Sequence, residues 1–363
     1  MKKNLKWLKY SSGVIIFIIL SISIFNYKID RLGLFENSNY LSNAAKTLTN
    51  GNMIAGLKNY DERLFQELII KNLKVKNDAI VIGSSRSMEL RKRFFLKEET
   101  YFFNHSVSGA SLEDYIAIIG AYESIHNYLP NTIIMGIDPW IFNKNNYQNR
   151  WQTLNKYYHY ELNKITNNKQ SNKQNTINID KWKQLINYDY TVESIKFFKL
   201  LLKNKGSTFY VVKTTEIDDS IKETDGSIHY PYKIRNSDYE EVKQAAISYT
   251  KGQVYSLNKF DTLSNVVIFE EFIKYLQLKN IDIVFFLSPY NPITYDLLMK
   301  EIKYQYIDIA EKYLINFAKQ QNITVIGSYN PHKYGFTNKD FFDGMHSHEV
   351  VAKKIFQSTD IKR

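Results

Sequence analysis

The chain has 363 residues, enough for one large domain with an insertion or for two smaller domains, and its 44% hydrophobic and 15% aromatic content marks a folded protein. A formal charge of +11 suits an anionic surface or polymer, but no nucleic-acid-binding motif stands in its required context, so the chain is not read as a nucleic-acid binder. Cys is absent, which excludes disulfides, thiolate catalysis and Cys-ligated metal sites.

At the N-terminus, Lys2, Lys3, Lys6 and Lys9 precede an unbroken apolar run from Val14 to Leu20 that continues to Phe25. Counted outward through Trp7 and Tyr27, the stretch approaches the ~20 residues that span a bilayer, with aromatic residues at both ends and positive charge on one side. The pattern predicts a cytoplasmic tail over 1–6, a single transmembrane anchor over 7–27, and the remainder outside the cytoplasm at the cell membrane. A cleaved signal peptide is the rival, since the strictly apolar core is short and Ser21-Ile22-Ser23 loosely fits small-x-small. The lack of a convincing site downstream, and of a Cys for lipid attachment, favours the anchor.

Residues 28–76 read as a juxtamembrane linker carrying a helix from Glu62 to Leu73, on which Leu64, Leu68, Ile69 and Leu73 repeat at helical spacing. From Ala79 the pattern changes to short β-branched runs: Ala79 to Ile82, Tyr101 to Phe103, Thr132 to Ile137, Ile283 to Leu287 and Ile323 to Ile326. Helical stretches lie between them at Leu112 to Tyr128, Val266 to Leu278 and Tyr304 to Lys319, and a last helix runs from Ser347 to Phe356. This alternation predicts an α/β core over 77–142 and 261–363, a mostly parallel sheet covered by helices on both faces. Residues 143–260 interrupt it as an insertion over the sheet's active edge. The insertion holds an Asn/Lys-rich loop from Asn163 to Asn178, a helical stretch from Asp180 to Leu202, and a hairpin around Asp225-Gly226-Ser227.

Two segments carry chemistry. Gly83-Ser84-Ser85-Arg86 closes the first core strand, and Asp343-Gly344-Met345-His346 precedes the last helix. A hydroxyl raised on a strand-to-helix turn, with carboxylate and imidazole supplied together from one distant loop, is the minimal kit for activating a serine. Each segment alone also reads as a plain turn and helix cap; only their order and pairing make them a site. Arg86 either holds an anionic substrate or faces solvent. His105, near the second strand's end, is a base or a satisfied structural group. His346 and His348 alternate, but two His with no further ligand in spacing make a poor metal site, and no cofactor is expected. Tyr290, in Ser288-Pro289-Tyr290-Asn291-Pro292, follows a strand at the same edge and is placed to line a pocket.

The ordered set Gly83-Ser84-Ser85, Asn104 to Gly109, Gly136-Ile137-Asp138-Pro139 and Asp343-x-x-His346 resembles the SGNH (GDSL-type) hydrolase superfamily over residues 78–139 and 282–356. The likeness is greatest to its membrane-anchored extracytoplasmic members, the DltD-like and alginate-acetylation-like envelope proteins. It implies a flavodoxin-like three-layer αβα sandwich with Ser85 as nucleophile, His346 as general base and Asp343 as the carboxylate that orients the imidazole. The backbone N–H groups of Ser85 and Gly109 would form the oxyanion hole, with Arg86, Asn104, Asp138 and Tyr290 as substrate-binding candidates. Ser84 stands where the family usually has Asp. Asp138 stands where many members place an Asn donor, and an ionised carboxylate would repel an oxyanion. It must therefore point elsewhere, stay protonated, or bind a substrate hydroxyl or amine. The activity implied is that of a serine esterase or O-acyltransferase on a cell-envelope glycan or anionic polymer. The alternative is a non-catalytic polymer-binding or assembly partner of an integral membrane acyltransferase.

Overall fold

The computed structural model describes residues 2–30, 35, 39–58, 60–94, 99–167, 182–203, 209–252 and 254–358. Helix α1 runs over Lys2–Ile29, and its stretch Lys6–Ile29 is long and apolar enough to cross a membrane, with only its last turns, at Phe25 and Asn26, packed on the body. The segment expected to be a linker holds α2 (Asn39–Thr49), strand β1 (Met53–Ala55) and α3 (Glu62–Asn72). Asp61 starts α3 by accepting from the backbone N–H groups of Arg63 and Leu64. Leu41, Ala44, Leu48, Phe65 and Ile69 bury these elements against Phe103 of the core.

The core follows with β2 (Ala79–Gly83), β3 (Phe102–Asn104), α4 (Leu112–His126) and β4 (Thr132–Gly136). The insertion then contributes α5 (Asn155–Ile165), α6 (Tyr188–Lys203), β5 (Tyr210–Val212), β6 (Ile221–Lys222), β7 (Ile228–His229), α7 (Tyr232–Arg235) and α8 (Tyr239–Tyr249). The chain re-enters the core through α9 (Val266–Leu278), β8 (Asp282–Leu287), α10 (Pro292–Met299), α11 (Tyr306–Gln321), β9 (Thr324–Gly327) and α12 (Glu349–Gln357).

The main sheet has five strands in the order β3-β2-β4-β8-β9, every neighbouring pair parallel. Counted from β2 this is the doubly wound order 2-1-3-4-5, whose crevice lies between β2 and β4 at their carboxyl ends. Both faces are covered, so the strands read as continuous apolar runs. Ile80, Ile82, Ile133, Met135 and Phe285 pack under α4, α9 and α11 on one face, and Val81, Ile134, Val284 and Phe286 pack under α12 on the other. The chain is thus an α/β protein with helices on both faces of a parallel sheet.

A second, antiparallel sheet has the order β5-β1-β6-β7. Strand β1, from before the core, pairs with both β5 and β6 of the insertion, so the two segments fold as one unit. The expected hairpin is present: Ile221 pairs with His229 and Lys222 with Ile228 around the Asp225-Gly226-Ser227 turn. Gly226, at φ +80°, lies against the Phe103 ring, where a side chain would collide. Of the expected helix at 180–202, residues 180 and 181 lie outside the described residues, and the rest holds a 3₁₀ turn, Gln184–Ile186, followed by α6. Residues 168–178 of the Asn/Lys-rich run lie outside the described residues.

Candidate active site

Strands β2 and β4 end side by side, Gly83 opposite Gly136. A Cβ on either would strike Ser87 Oγ, so two glycines let the turn after β2 seat directly on the strand ends. That turn is a single 3₁₀ turn, Ser85–Ser87, with Ser84 as its cap: the Ser84 hydroxyl accepts from Arg86 N–H at 3.1 Å. Ser85 is consequently lifted above the sheet edge. Its backbone N–H, first in the turn, is one of the donors a helix start leaves unpaired within itself.

His346 meets Ser85 from the loop before α12. Ser85 Oγ lies 2.8 Å from His346 Nε2, and His346 Nδ1 lies 2.9 Å from Asp343 Oδ2. A carboxylate only accepts, so Nδ1 donates to it and Nε2 is left to accept from the serine hydroxyl. The other Asp343 oxygen accepts from the backbone N–H groups of Met345 and His346, both at 2.8 Å, which makes the loop a rigid clasp. Partial burial pushes the Asp343 carboxyl up, but His346 and the two backbone donors outweigh it and hold the group below its ordinary value. Asp343 therefore stays ionised beside the imidazole.

Arg86 corrects both sequence readings of that residue: it neither faces solvent nor stands free for a substrate. It is 5% exposed. Its guanidinium donates to Asp138 Oδ1 at 2.7 Å, to the Met345 carbonyl at 3.2 Å and to the Ser288 carbonyl, while its plane lies 4.0 Å from the Tyr290 ring centroid. One side chain thus joins the turns after β2, β4 and β8 to the His346 loop. Asp138, of the three fates open to it, points elsewhere: it faces Arg86. Burial raises its carboxyl above the ordinary range, although Arg86 pulls the other way.

Asn104 is buried and spends its amide on the carbonyls of Ser87 and Leu90, at 2.8 and 3.0 Å, bracing the stretch after Ser85 without reaching the site. Tyr290 is fully buried beneath Arg86 and lines no opening. Gly109 takes φ +55° in the loop that β3 feeds, next to the end of β2, where Val107 N–H donates to the Gly83 carbonyl at 3.0 Å. A side chain at Gly109 would collide with the Tyr255 hydroxyl and the Arg150 guanidinium. Neighbouring Ser108 is anchored through its hydroxyl, which donates to Glu62 Oε1 at 2.8 Å.

His105 is structural. It bonds Gln66 at 2.7 Å and the Tyr122 hydroxyl, and burial depresses it to about 3, so it remains neutral. His348 caps α12 and packs on Phe342 with centroids 4.2 Å apart. Among the described residues, no group of three or more His, Asp or Glu is placed to hold a metal ion.

Tyr230 also reaches the site. It comes from the insertion, its ring centroid 5.8 Å from that of His346, and its hydroxyl donates to the Ser85 carbonyl at 3.3 Å. The only sequence signal was its place just after the hairpin, which gives no hint of a partner 145 residues upstream.

Fold and site together define a doubly wound α/β protein with a Ser-His-Asp hydrogen-bonded chain at the switch point of its sheet. No protein-family model and no curated protein matches the chain.

Proposed function

We propose that the protein is a serine esterase or O-acyltransferase of the SGNH type, held at the cell membrane by α1 and acting outside the cytoplasm on a cell-envelope glycan or glycopolymer. The observation that carries this reading is the contact between Ser85 Oγ and His346 Nε2, at 2.8 Å, with Asp343 fixing the ring from behind. That is the reach a general base needs, already present in the resting site.

In this mechanism Ser85 Oγ attacks the acyl carbonyl while its proton passes to His346 Nε2. Asp343, kept ionised, stabilises the imidazolium. The negative charge on the carbonyl oxygen is met by the Ser85 N–H and by the N–H of Gly109, whose left-handed turn allows close backbone approach. The imidazolium then gives its proton to the leaving alkoxide, which departs and leaves an acyl-Ser85 ester. A water or a sugar hydroxyl, deprotonated by His346, attacks that ester, and the imidazolium returns the proton to Ser85 Oγ as the acyl–oxygen bond breaks, releasing the acid or the new ester. The acceptor decides between hydrolysis and transfer.

The non-catalytic alternative drew its main support from Asp138, as a charge in the path of an oxyanion. Its pairing with Arg86 at 2.7 Å offsets that charge, which supports the catalytic reading. The four lysines before the apolar run favour a cytoplasmic N-terminus and an extracytoplasmic body. The excess of basic residues there fits an acidic polymer. The reading is tested by hydrolysis of short-chain chromogenic esters with the full chain in detergent: turnover that falls to background in both Ser85→Ala and His346→Ala supports it. Turnover unchanged in either variant, or absent from wild type toward every acyl chain, counts against it.

A further inference from the structure

Helix α6 carries two apolar rows. Tyr190 and Phe197 face inward and are buried, Phe197 within the cluster that also holds α2. On the other side Tyr188, Ile195, Phe198 and Leu202 recur at helical spacing and are exposed by 80, 41, 40 and 66%. Packing explains the first row and leaves the second in contact with the surroundings. A row of large apolar side chains held in water forgoes about 25 cal/mol for each Å² left exposed, so a surface of this kind marks a site of association.

The second row continues an existing apolar surface. Phe198 meets Phe25 of α1 edge to face, with centroids 5.9 Å apart. Asn26 of α1 donates to the Leu185 carbonyl at 2.9 Å and to the Thr191 hydroxyl at 2.7 Å, which locks the start of α6 to the end of α1. Trp182 and Ile186, just before α6, are also exposed, and Trp182 joins Phe35 and Tyr27 in a chain of aromatic rings at the same level. Along α1 the residues Phe17, Ile18, Leu20 and Ile24 present their own exposed apolar surface up to that level. Lys28, Lys183 and Lys199 are exposed beside it, as is Lys196, which also donates to Glu193 at 2.6 Å. Aromatic rings at the end of a span, and a Lys-bearing helix with Phe and Leu on one side, are what the lipid headgroup boundary accommodates.

We propose that residues 182–202 lie in the interface of the bilayer that α1 crosses, with the Tyr188-Ile195-Phe198-Leu202 row at the boundary of headgroups and acyl chains and the lysines toward lipid phosphates. This rests on α1 being a membrane span. It makes α1 part of a two-helix seat instead of a free tether. The seat is coupled to the body, because Phe197 on the inner row packs on Tyr40 of α2 at 5.3 Å and shares a cluster with Phe103 of β3.

The absence of Cys permits single-site spin labelling without removing native thiols. Full-length protein in nanodiscs of anionic and zwitterionic phospholipid is labelled at Ile195→Cys and Leu202→Cys, with Ile18→Cys reading the span and Ile302→Cys, 82% exposed on the body, reading water. Collision with oxygen and with a water-soluble nickel chelate is measured at each. Residues 195 and 202 are expected to gain oxygen contact and lose nickel contact relative to 302, at a shallower depth than 18. Nickel contact at 195 and 202 equal to that at 302, with 18 buried in lipid, would overturn the seat and spare the span. Shielding from both reagents at 195 and 202 would mean a protein partner or a second copy covers the row, which also overturns it. Water exposure at 18 as well would remove span and seat together.

Discussion

The guanidinium of Arg86 reaches oxygens on three other loops, so a change there propagates to the Asp343–His346 clasp without touching the Ser85–His346 contact. Arg86→Met leaves Asp138 buried without its counter-charge, and removing one partner of a buried pair typically costs ~3–5 kcal/mol. Denaturant unfolding is expected to show a loss of that order, partly restored in the Arg86→Met/Asp138→Asn double variant. The sign with pH follows from the raised Asp138 carboxyl: losing Arg86 raises it further, so the deficit shrinks as pH is lowered and the orphaned group takes a proton. A deficit independent of pH and of the second change would contradict the pairing. At this scale Ser85, Asp343 and His346 are legible as candidates because their order and pairing, a serine in the turn after a strand and a carboxylate and imidazole three residues apart before the last helix, can be read along the chain. Arg86 was not, since its partners lie 52, 202 and 259 residues away and only the fold brings them within reach. Asn104 misled for the opposite reason: its place after a strand fits a site, while its amide is used within its own neighbourhood.

Two contacts between elements carry sharp consequences. The paired glycines Gly83 and Gly136 let Ser87 press on the strand ends. In Gly136→Ala the added methyl meets Ser87, a well-packed position where overpacking costs about 1–3 kcal/mol. Ester turnover by that variant should fall well beyond its loss of stability, as the Ser85 turn is displaced from His346; intact turnover would show that the turn does not set the geometry. Elsewhere, α5 lies against α4 so closely that Gly120 faces the Tyr157 carbonyl. Glu161 of α5 is fully buried there, and burial together with neighbouring Glu123 pushes it up to about 8. Its proton is held more tightly folded than unfolded. The resulting stability is complete below the ordinary carboxyl range near ~4.3 and is lost as pH rises toward about 8. Glu161→Gln stays uncharged throughout, so its melting temperature should decline less than that of wild type between about pH 5 and about pH 9. Glu89, pushed up to about 8 mainly by burial, should leave part of the slope in place. Identical slopes would count against a buried, protonated Glu161. The strands and helices of the core were legible because their periodicity is local; the role of β1 was not, since three residues read as linker became a sheet strand only through partners at 210–212 and 221–222.

At the scale of the molecule, the body is a single folded mass in which the segment before the core and the insertion share one antiparallel sheet beside the parallel one. The charge on one flank of α1 predicts a cytoplasmic N-terminus. In intact cells a membrane-impermeant maleimide should react with Ile302→Cys on the body and spare Lys3→Cys, with the native Cys-free chain as the blank. The reverse pattern would invert the topology and place the site in the cytoplasm. The central claim concerns Ser85 and is tested most directly by mass spectrometry of the full chain after treatment with a serine-reactive phosphonate. A single adduct on Ser85, absent in Ser85→Ala and strongly slowed in His346→Ala, is the predicted result. No adduct on wild type, or an adduct that persists in Ser85→Ala, would contradict it.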